Sequence, residues 1–490
     1  MSFPHQYFTA ISLLVLGFTH MAIAQARGWP WQPSYLPEVP QLHTKSLTRD
    51  PAIASATATP EALSLPWWKQ PDQHAWLGDE AVAMVSVALT HQPLVEAAYQ
   101  RWQQAHQQAN VQRSTLLPQL MLNPNWNRQL FSANQFVAFN NNSANRTFDF
   151  YSVPLQFNWE LDVWGRLTQQ LKASKLQAKA QQLQWQGVRL GLASDTLTSY
   201  WQWQALHQQK AYQQQRLTLA QQWQRYLHAL VNEGAAPHST EANQVPWLKD
   251  QERQLLGFEQ GERLIARRLG TLLGKESEVE PQPQSVSFWE TDPLPAAPRL
   301  PKPDAWIAQR PDLQAQIALL EASKLNVQAV HKLILPRLAI NGQWGFLSTA
   351  THNLFDWKGH AYQLIPQLMQ PVFAGGQIKA QQRLLQAQLA EQVATYQANL
   401  LQALQEVEQA QLAYQRNSQQ EALLHEAIEA KESDVADIER RVQVGSLPLL
   451  PLWLAQDELL QLQQARCEAR LAVVMDVIQW QRLLGGVSTS

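Results

Sequence analysis

Two stretches of the chain, Gly165 to Gly234 and Gly376 to Gly445, each run without an internal proline. Apolar positions recur three and four apart in both: Leu183, Trp185, Val188, Leu192, Thr196 and Leu197 in the first, Leu385, Leu389, Val393, Tyr396, Leu400 and Leu404 in the second. This period predicts amphipathic helices of about 70 residues, roughly 100 Å long at ~1.5 Å per residue. Helices of that length need neighbours to bury their stripes, as in coiled coils. Past each terminal glycine the periodic pattern resumes for about 40 residues, up to an "LLG" sequence, so each long helix is expected to turn back as a hairpin.

Ahead of each hairpin the period falls from 3.6 to 2. Leu120, Leu122 and Trp126 alternate with Asn123 and Asn125; Tyr151, Val153, Leu155, Phe157 and Trp159 alternate with Ser152, Gln156 and Asn158. Further along, Leu338, Ile340, Trp344 and Phe346 oppose Asn341 and Gln343, and Tyr362, Leu364 and Leu368 oppose Gln363 and Gln367. Strands with one apolar, aromatic-rich face and one amide face suit a water-filled transmembrane barrel. They suit a soluble sheet with one buried face equally well. Four strands cannot close a water-filled barrel, so the membrane reading requires several chains to pool their strands.

The two stretches belong to one unit written twice. Pro93 and Pro311 lie 218 apart in number, as do Pro118 and Pro336. Gly165 and Gly376, Gly234 and Gly445, and Gly274 and Gly485 all lie 211 apart. The first copy therefore carries seven extra residues, assigned to the Asn-rich loop Ser132–Arg146. The expected organisation is a signal at 1–24, an N-terminal segment at 25–75, a first repeat at 76–279, a Pro-rich linker at 280–303 and a second repeat at 304–486.

Composition narrows the function. Lys and Arg number 38 against 40 Asp and Glu, so nothing marks a nucleic-acid binder. Charged residues make up 16%, with glutamine filling much of the polar quota, which suits a surface that interlocks with itself or lines a conduit and suits a low-complexity Gln-rich scaffold as well, so this feature alone decides nothing. Ala10 to Phe18 is a short apolar run followed by Ala22-Ile23-Ala24, the pattern of a secretory signal, although only His5 stands in its n-region; a buried N-terminal helix would give the same run. The single Cys467 cannot form an internal disulfide, and no cysteine follows the signal where a lipid would be attached. The thirteen histidines are scattered, and no HExxH, GxSxG or P-loop pattern occurs, so no catalytic residue, metal ligand or cofactor is assigned. Trp185, Trp201, Trp203 and Trp223 are read as packing between helices.

Together the segments "LPWWKQ", "NWELDVWGRL" and "QRPDLQAQIALLEASKLNVQAVHKLILPRLAINGQWG", in this order on a duplicated frame, resemble the TolC-like outer-membrane efflux channels, in particular the NodT-type members serving resistance-nodulation-division pumps. The resemblance implies an α+β trimer: a twelve-stranded barrel, four strands per chain, continued by a helical tunnel across the periplasm of a Gram-negative cell. It makes Leu120, Leu122, Trp126, Val153, Leu155, Phe157, Trp159, Leu338, Ile340, Trp344, Tyr362 and Leu364 lipid-facing. It also makes the turns at Gly234-Ala235 and Val444-Gly445-Ser446 the periplasmic tips that meet an adaptor protein. An acidic ring found in some members falls here on Pro451 and Leu454, which carry no charge; Glu241, seven past Gly234, is a candidate pore charge, read otherwise as a solvated surface carboxylate. Asn232-Glu233 departs from the family's turn at the first tip, and Pro246 is expected to kink or delay the return helix.

The implied function is the passive outer-membrane duct of a tripartite efflux pump, with an adaptor and an inner-membrane pump as partners. A channel for type I protein secretion would share every one of these features. A reading of another class is a soluble periplasmic coiled-coil adaptor or scaffold, which would normally carry one hairpin flanked by small β-domains rather than two equal hairpins.

Overall fold

The computed structural model describes residues 66–131, 146–290, 292–296 and 303–486, all within one compact unit. The stretch 1–24 read as a signal, the expected N-terminal segment up to residue 65, and all but the last residue of the loop Ser132–Arg146 lie outside the described residues.

Three helices, α1 (Pro71–Leu77), α2 (Asp79–His91) and α3 (Pro93–Ser114), lead into strands β1 (Gln119–Leu122), β2 (Asn125–Phe131) and β3 (Arg146–Leu161). The long helix α4 (Arg166–Asn232) and its return α5 (His238–Leu272) follow. Two short helices, α6 (Val286–Glu290) and α7 (Pro303–Gln309), precede the second round: α8 (Pro311–His331), β4 (Arg337–Ser348), β5 (His360–Met369), α9 (Gln377–Gln443) and α10 (Leu449–Leu483). Both long helices have 67 residues and both returns have 35, so the returns are somewhat shorter than expected. The landmark glycines recur because the backbone needs them: Gly165, Gly376, Gly234, Gly445, Gly274 and Gly485 all have φ between 69° and 82°.

The strands form one antiparallel sheet. β1 and β2 both pair with β3, so they are a single edge strand broken at Asn123-Pro124, and the order is β1/β2, β3, β4, β5. Proline at 124 removes a ladder donor, which an edge strand tolerates. Pro154, in central β3, faces Gly345. A Cβ on Gly345 would run into the Val153 carbonyl oxygen, so only glycine lets the two backbones approach there.

The main core surrounds the middle of α4. Trp201 is fully buried and stacks on Phe288 at 4.4 Å, with Trp76 and Trp289 around it. Trp185 stacks on Trp102 at 5.6 Å and Trp223 meets Trp247 at 5.2 Å, so these rings pack helices together as expected. The Pro-rich segment between the repeats is more than a tether. The Gln204 amide donates to the Gln282 carbonyl and accepts from the Gln284 N–H, holding the segment against α4. Arg466 and Arg470 of α10 share the Glu421 carboxylate and donate to the carbonyls of Glu290 and Asp292.

Candidate functional site

Two regions can carry transport: the sheet and the helical tips. In the sheet, cross-strand pairs put Leu120 opposite Phe157, Leu122 opposite Leu155, and Trp126 opposite Tyr151. Val153 faces Phe346, Leu155 faces Trp344, Trp159 faces Ile340, and Leu161 faces Leu338. Trp344 in turn faces Tyr362, and Gly342 faces Leu364. Facing residues point to the same side, so every residue named above for the apolar face shares one face. On β3 this face runs unbroken from Tyr151 to Leu161. That is the length a tilted strand needs to cross a bilayer, about 9–11 residues.

Beyond Tyr151 the face turns polar: Trp126 Nε1 donates to Asp149, which lies 4.0 Å from the Arg128 guanidinium. At the other end Trp159 Nε1 donates to the Leu116 carbonyl and Trp164 Nε1 to the Pro336 carbonyl, both on strand-entry segments. Rings with a polar edge thus stand at both ends of the apolar band, the placement that aromatic girdles have in membrane barrels. The opposite face carries amides that bond one another: Asn341 donates to Gln367 at 3.0 Å and Gln343 to Gln363 at 3.1 Å. No single described helix is long and apolar enough to cross a membrane.

Below the sheet, Asp162 caps α4. Its carboxylate accepts from the Leu167 and Thr168 N–H groups at 2.9 and 2.7 Å. Burial alone would raise its pKa; the Thr168 and Leu167 hydrogen bonds and the nearby Arg166 charge outweigh burial and hold it below the usual value.

The two tips are built alike. At the first, Gly234 N–H donates to the Val231 carbonyl and Ala235 N–H to the Leu230 carbonyl; at the second, Gly445 N–H donates to Val442 and Ser446 N–H to Arg441. This is the Schellman arrangement, which requires the left-handed residue that glycine supplies. Ser446 Oγ adds a bond to the Arg441 carbonyl. Pro237 and Pro448 then precede the return helices by one residue. A shared G-x-x-P sequence therefore marks both tips, a signal missed in the sequence reading. Both turns are exposed, with Val444 79% accessible.

Of the kink or delay expected at Pro246, the delay is absent: α5 begins at His238 and runs through the proline. Glu241, the candidate pore charge, has a partner within the chain. Its Oε1 lies 2.9 Å from His228 Nδ1 across the hairpin, a local contact between residues nearly equidistant from the turn. Sequence reading also missed the contact between the hairpins, where buried Arg216 of α4 grips Asp457 of α10 at 2.8 and 3.3 Å.

The family profile of outer membrane efflux proteins matches residues 84–275 and 303–486. The pyoverdine export outer membrane protein OpmQ of Pseudomonas putida is 27% identical over 444 residues, covering 89% of this chain and 91% of that protein. The multidrug resistance outer membrane protein MdtQ of Escherichia coli O6:H1 is 26% identical over 375 residues, covering 72% and 74%. Among solved structures, the outer-membrane channel OprN superposes with a TM-score of 0.76 at 19% identity, covering 90% of this chain and 96% of that one. The outer membrane protein VceC of Vibrio cholerae superposes with a TM-score of 0.71 at 18% identity, covering 86% and 99%. With its duplicated hairpins, one-sided sheet and a profile match across both repeats, the chain belongs to the outer membrane efflux protein family.

Proposed function

We propose that three copies of this chain pool their sheets into one twelve-stranded barrel in the outer membrane, with the hairpins hanging from it as a tunnel into the periplasm. The observation that carries this is a four-stranded sheet with one continuous apolar face, an amide face and two edges unpaired among the described residues. In lipid an unpaired edge costs several kcal/mol per exposed backbone group, so the edges must meet those of other copies. The family is one of outer-membrane efflux channels rather than a class of enzymes, and passive conduction needs no reacting group.

In this reading the residues from Leu120 to Leu364 named for the apolar face touch lipid, and the amide face lines the water path. Glu241 is the candidate charge on that path near the first tip. The tips Gly234-Ala235 and Val444-Gly445-Ser446 receive a periplasmic adaptor, which joins the duct to an inner-membrane pump of the resistance-nodulation-division type. The names of the relatives, pyoverdine export and multidrug resistance, favour small-molecule cargo over a secreted polypeptide. Expression with its adaptor and pump in a strain lacking its own channels should lower cell accumulation of a pump substrate. Unchanged accumulation at normal outer-membrane abundance would count against the assignment.

A further inference from the structure

The two sequence offsets are obeyed by the sheet itself, and they specify how neighbouring copies join. Facing residue numbers add to 277 throughout β1/β2–β3, to 499 throughout β3–β4 and to 706 throughout β4–β5, so no bulge interrupts any ladder. Adding 218 to β1/β2 and 211 to β3 turns the first hairpin's constant, 277, into the second's, 706. A hydrogen bond repeats on the same two offsets. Trp159 Nε1 donates to the Leu116 carbonyl at 3.0 Å, and Gln370 Nε2 to the Ile334 carbonyl at 2.7 Å.

The β3–β4 ladder joins the last strand of one repeat to the first strand of the next. Its repeat image joins β5 to β1/β2 of the next copy. Raising the β3 number by 211 and lowering the β4 number by 218 turns the constant 499 into 492.

We propose that β5 pairs with β1/β2 of the neighbouring copy in this one register, with Tyr362 opposite Leu130, Leu364 opposite Arg128 and Pro366 opposite Trp126; carried past the end of β5 at Met369, the same register sets Gln370 opposite Leu122 and Val372 opposite Leu120. The proposal rests on the trimeric reading above and adds the residue-level joint to it. The faces agree: each of these pairs sets β5-side residues of apolar-face parity against β1/β2 residues of the same parity, while Gln363 meets Gln129 and Gln367 meets Asn125. A slip of one residue would turn the amides toward lipid.

Exposure points the same way. Val372 is 94% accessible in the single chain, whereas its repeat equivalent Leu161 is half-buried beside Leu338. Leu120 of the next copy supplies the missing cover. The same operation sets α3 of the next copy against α9, as α8 lies against α4 within the chain. Within that span of α9, which the 211 offset places at 376–398, Leu384 is exposed.

Paired cysteines test the register in the full-length protein with Cys467→Ser. Directly facing residues have Cα atoms about 4.5–5.5 Å apart, within the ~7 Å limit for a disulfide. A four-residue slip moves them about 13 Å along the strand. Leu130→Cys with Tyr362→Cys, and separately Leu122→Cys with Gln370→Cys, should shift the chain on oxidation to two- and three-chain bands on a non-reducing denaturing gel. Trp126→Cys with Tyr362→Cys should leave it as one chain, and Arg128→Cys with Tyr362→Cys should link less than the Leu130 pair. The register is overturned if trimeric protein links through the Trp126 or Arg128 pair in preference to the Leu130 pair, or through none. Loss of the trimer in both facing pairs and in the parent overturns the assembly reading and the register with it.

Discussion

Gly445→Asp separates docking from folding. Gly445 sits at φ +74°, and an added Cβ would meet no heavy atom within 4 Å. The substitution therefore clashes with nothing and costs only the left-handed backbone, about 1–2 kcal/mol for an L-residue and toward the low end for Asp. That cost is confined to an exposed turn, so the trimer should assemble. At a docking contact the same substitution adds a side chain and an unpaired charge. Burying such a charge costs several kcal/mol. Each ~1.4 kcal/mol is tenfold in affinity, so a loss of ~3 kcal/mol weakens adaptor binding about a hundredfold and export should fall with it. Gly445→Ala, lacking the charge, is milder. Gly485→Ala is the contrasting control. It has the same kind of backbone (φ +80°), but its Cβ would lie 2.5 Å from the Gln309 carbonyl oxygen and 2.7 Å from its carbon, so the fold itself must move. The assay is efflux in a strain lacking native channels, run beside trimer abundance. If Gly445→Asp assembles normally and exports like the parent, the second tip is not a docking site.

Other outcomes follow from the buried polar contacts and from the topology. Asp457→Ala leaves the Arg216 guanidinium buried without its carboxylate and should destabilise the chain by about 3 kcal/mol or more, whereas Arg216→Met with Asp457→Leu should recover most of it, as read by thermal unfolding. Asp162→Ala should cost about 1 kcal/mol of cap energy at neutral pH. Because the folded carboxyl titrates below its unfolded value, that contribution is present above the ordinary Asp range and lost as pH falls through the depressed value. The melting difference between Asp162→Ala and parent should therefore shrink in acid; a difference independent of pH would contradict the capping role. Cysteines placed at His352 or Phe355, in the turn between β4 and β5, should label on intact cells; labelling only after outer-membrane disruption would reverse the orientation. Cys467 will not compete, since burial both hides its thiol and pushes its pKa up.

The hairpins and the apolar face were legible because periodicity, glycine and proline record them locally. Two 67-residue helices between left-handed glycines follow from uninterrupted 3.6-residue spacing. The shared face follows from alternation that no bulge disturbs. Contacts that depend on which hairpin lies beside which were not legible. Arg216 and Asp457 are 241 residues apart, and no periodic signal links them. The burial of Phe288 and Trp289 in a proline-rich segment was hidden for the same reason: composition suggested a linker, and only the α4 surface shows why two large rings stand there. The Glu241–His228 contact was recoverable, because residues almost equally far from a hairpin turn face each other.

In the proposed assembly the four-stranded sheet exists only as one third of a closed barrel. The mass of the protein extracted from outer membranes in mild detergent, corrected for bound detergent by light scattering, tests it directly, with circular dichroism on the same sample. Three chains per particle with an intact β signal are expected; a stable single chain retaining that signal would refute the pooled barrel.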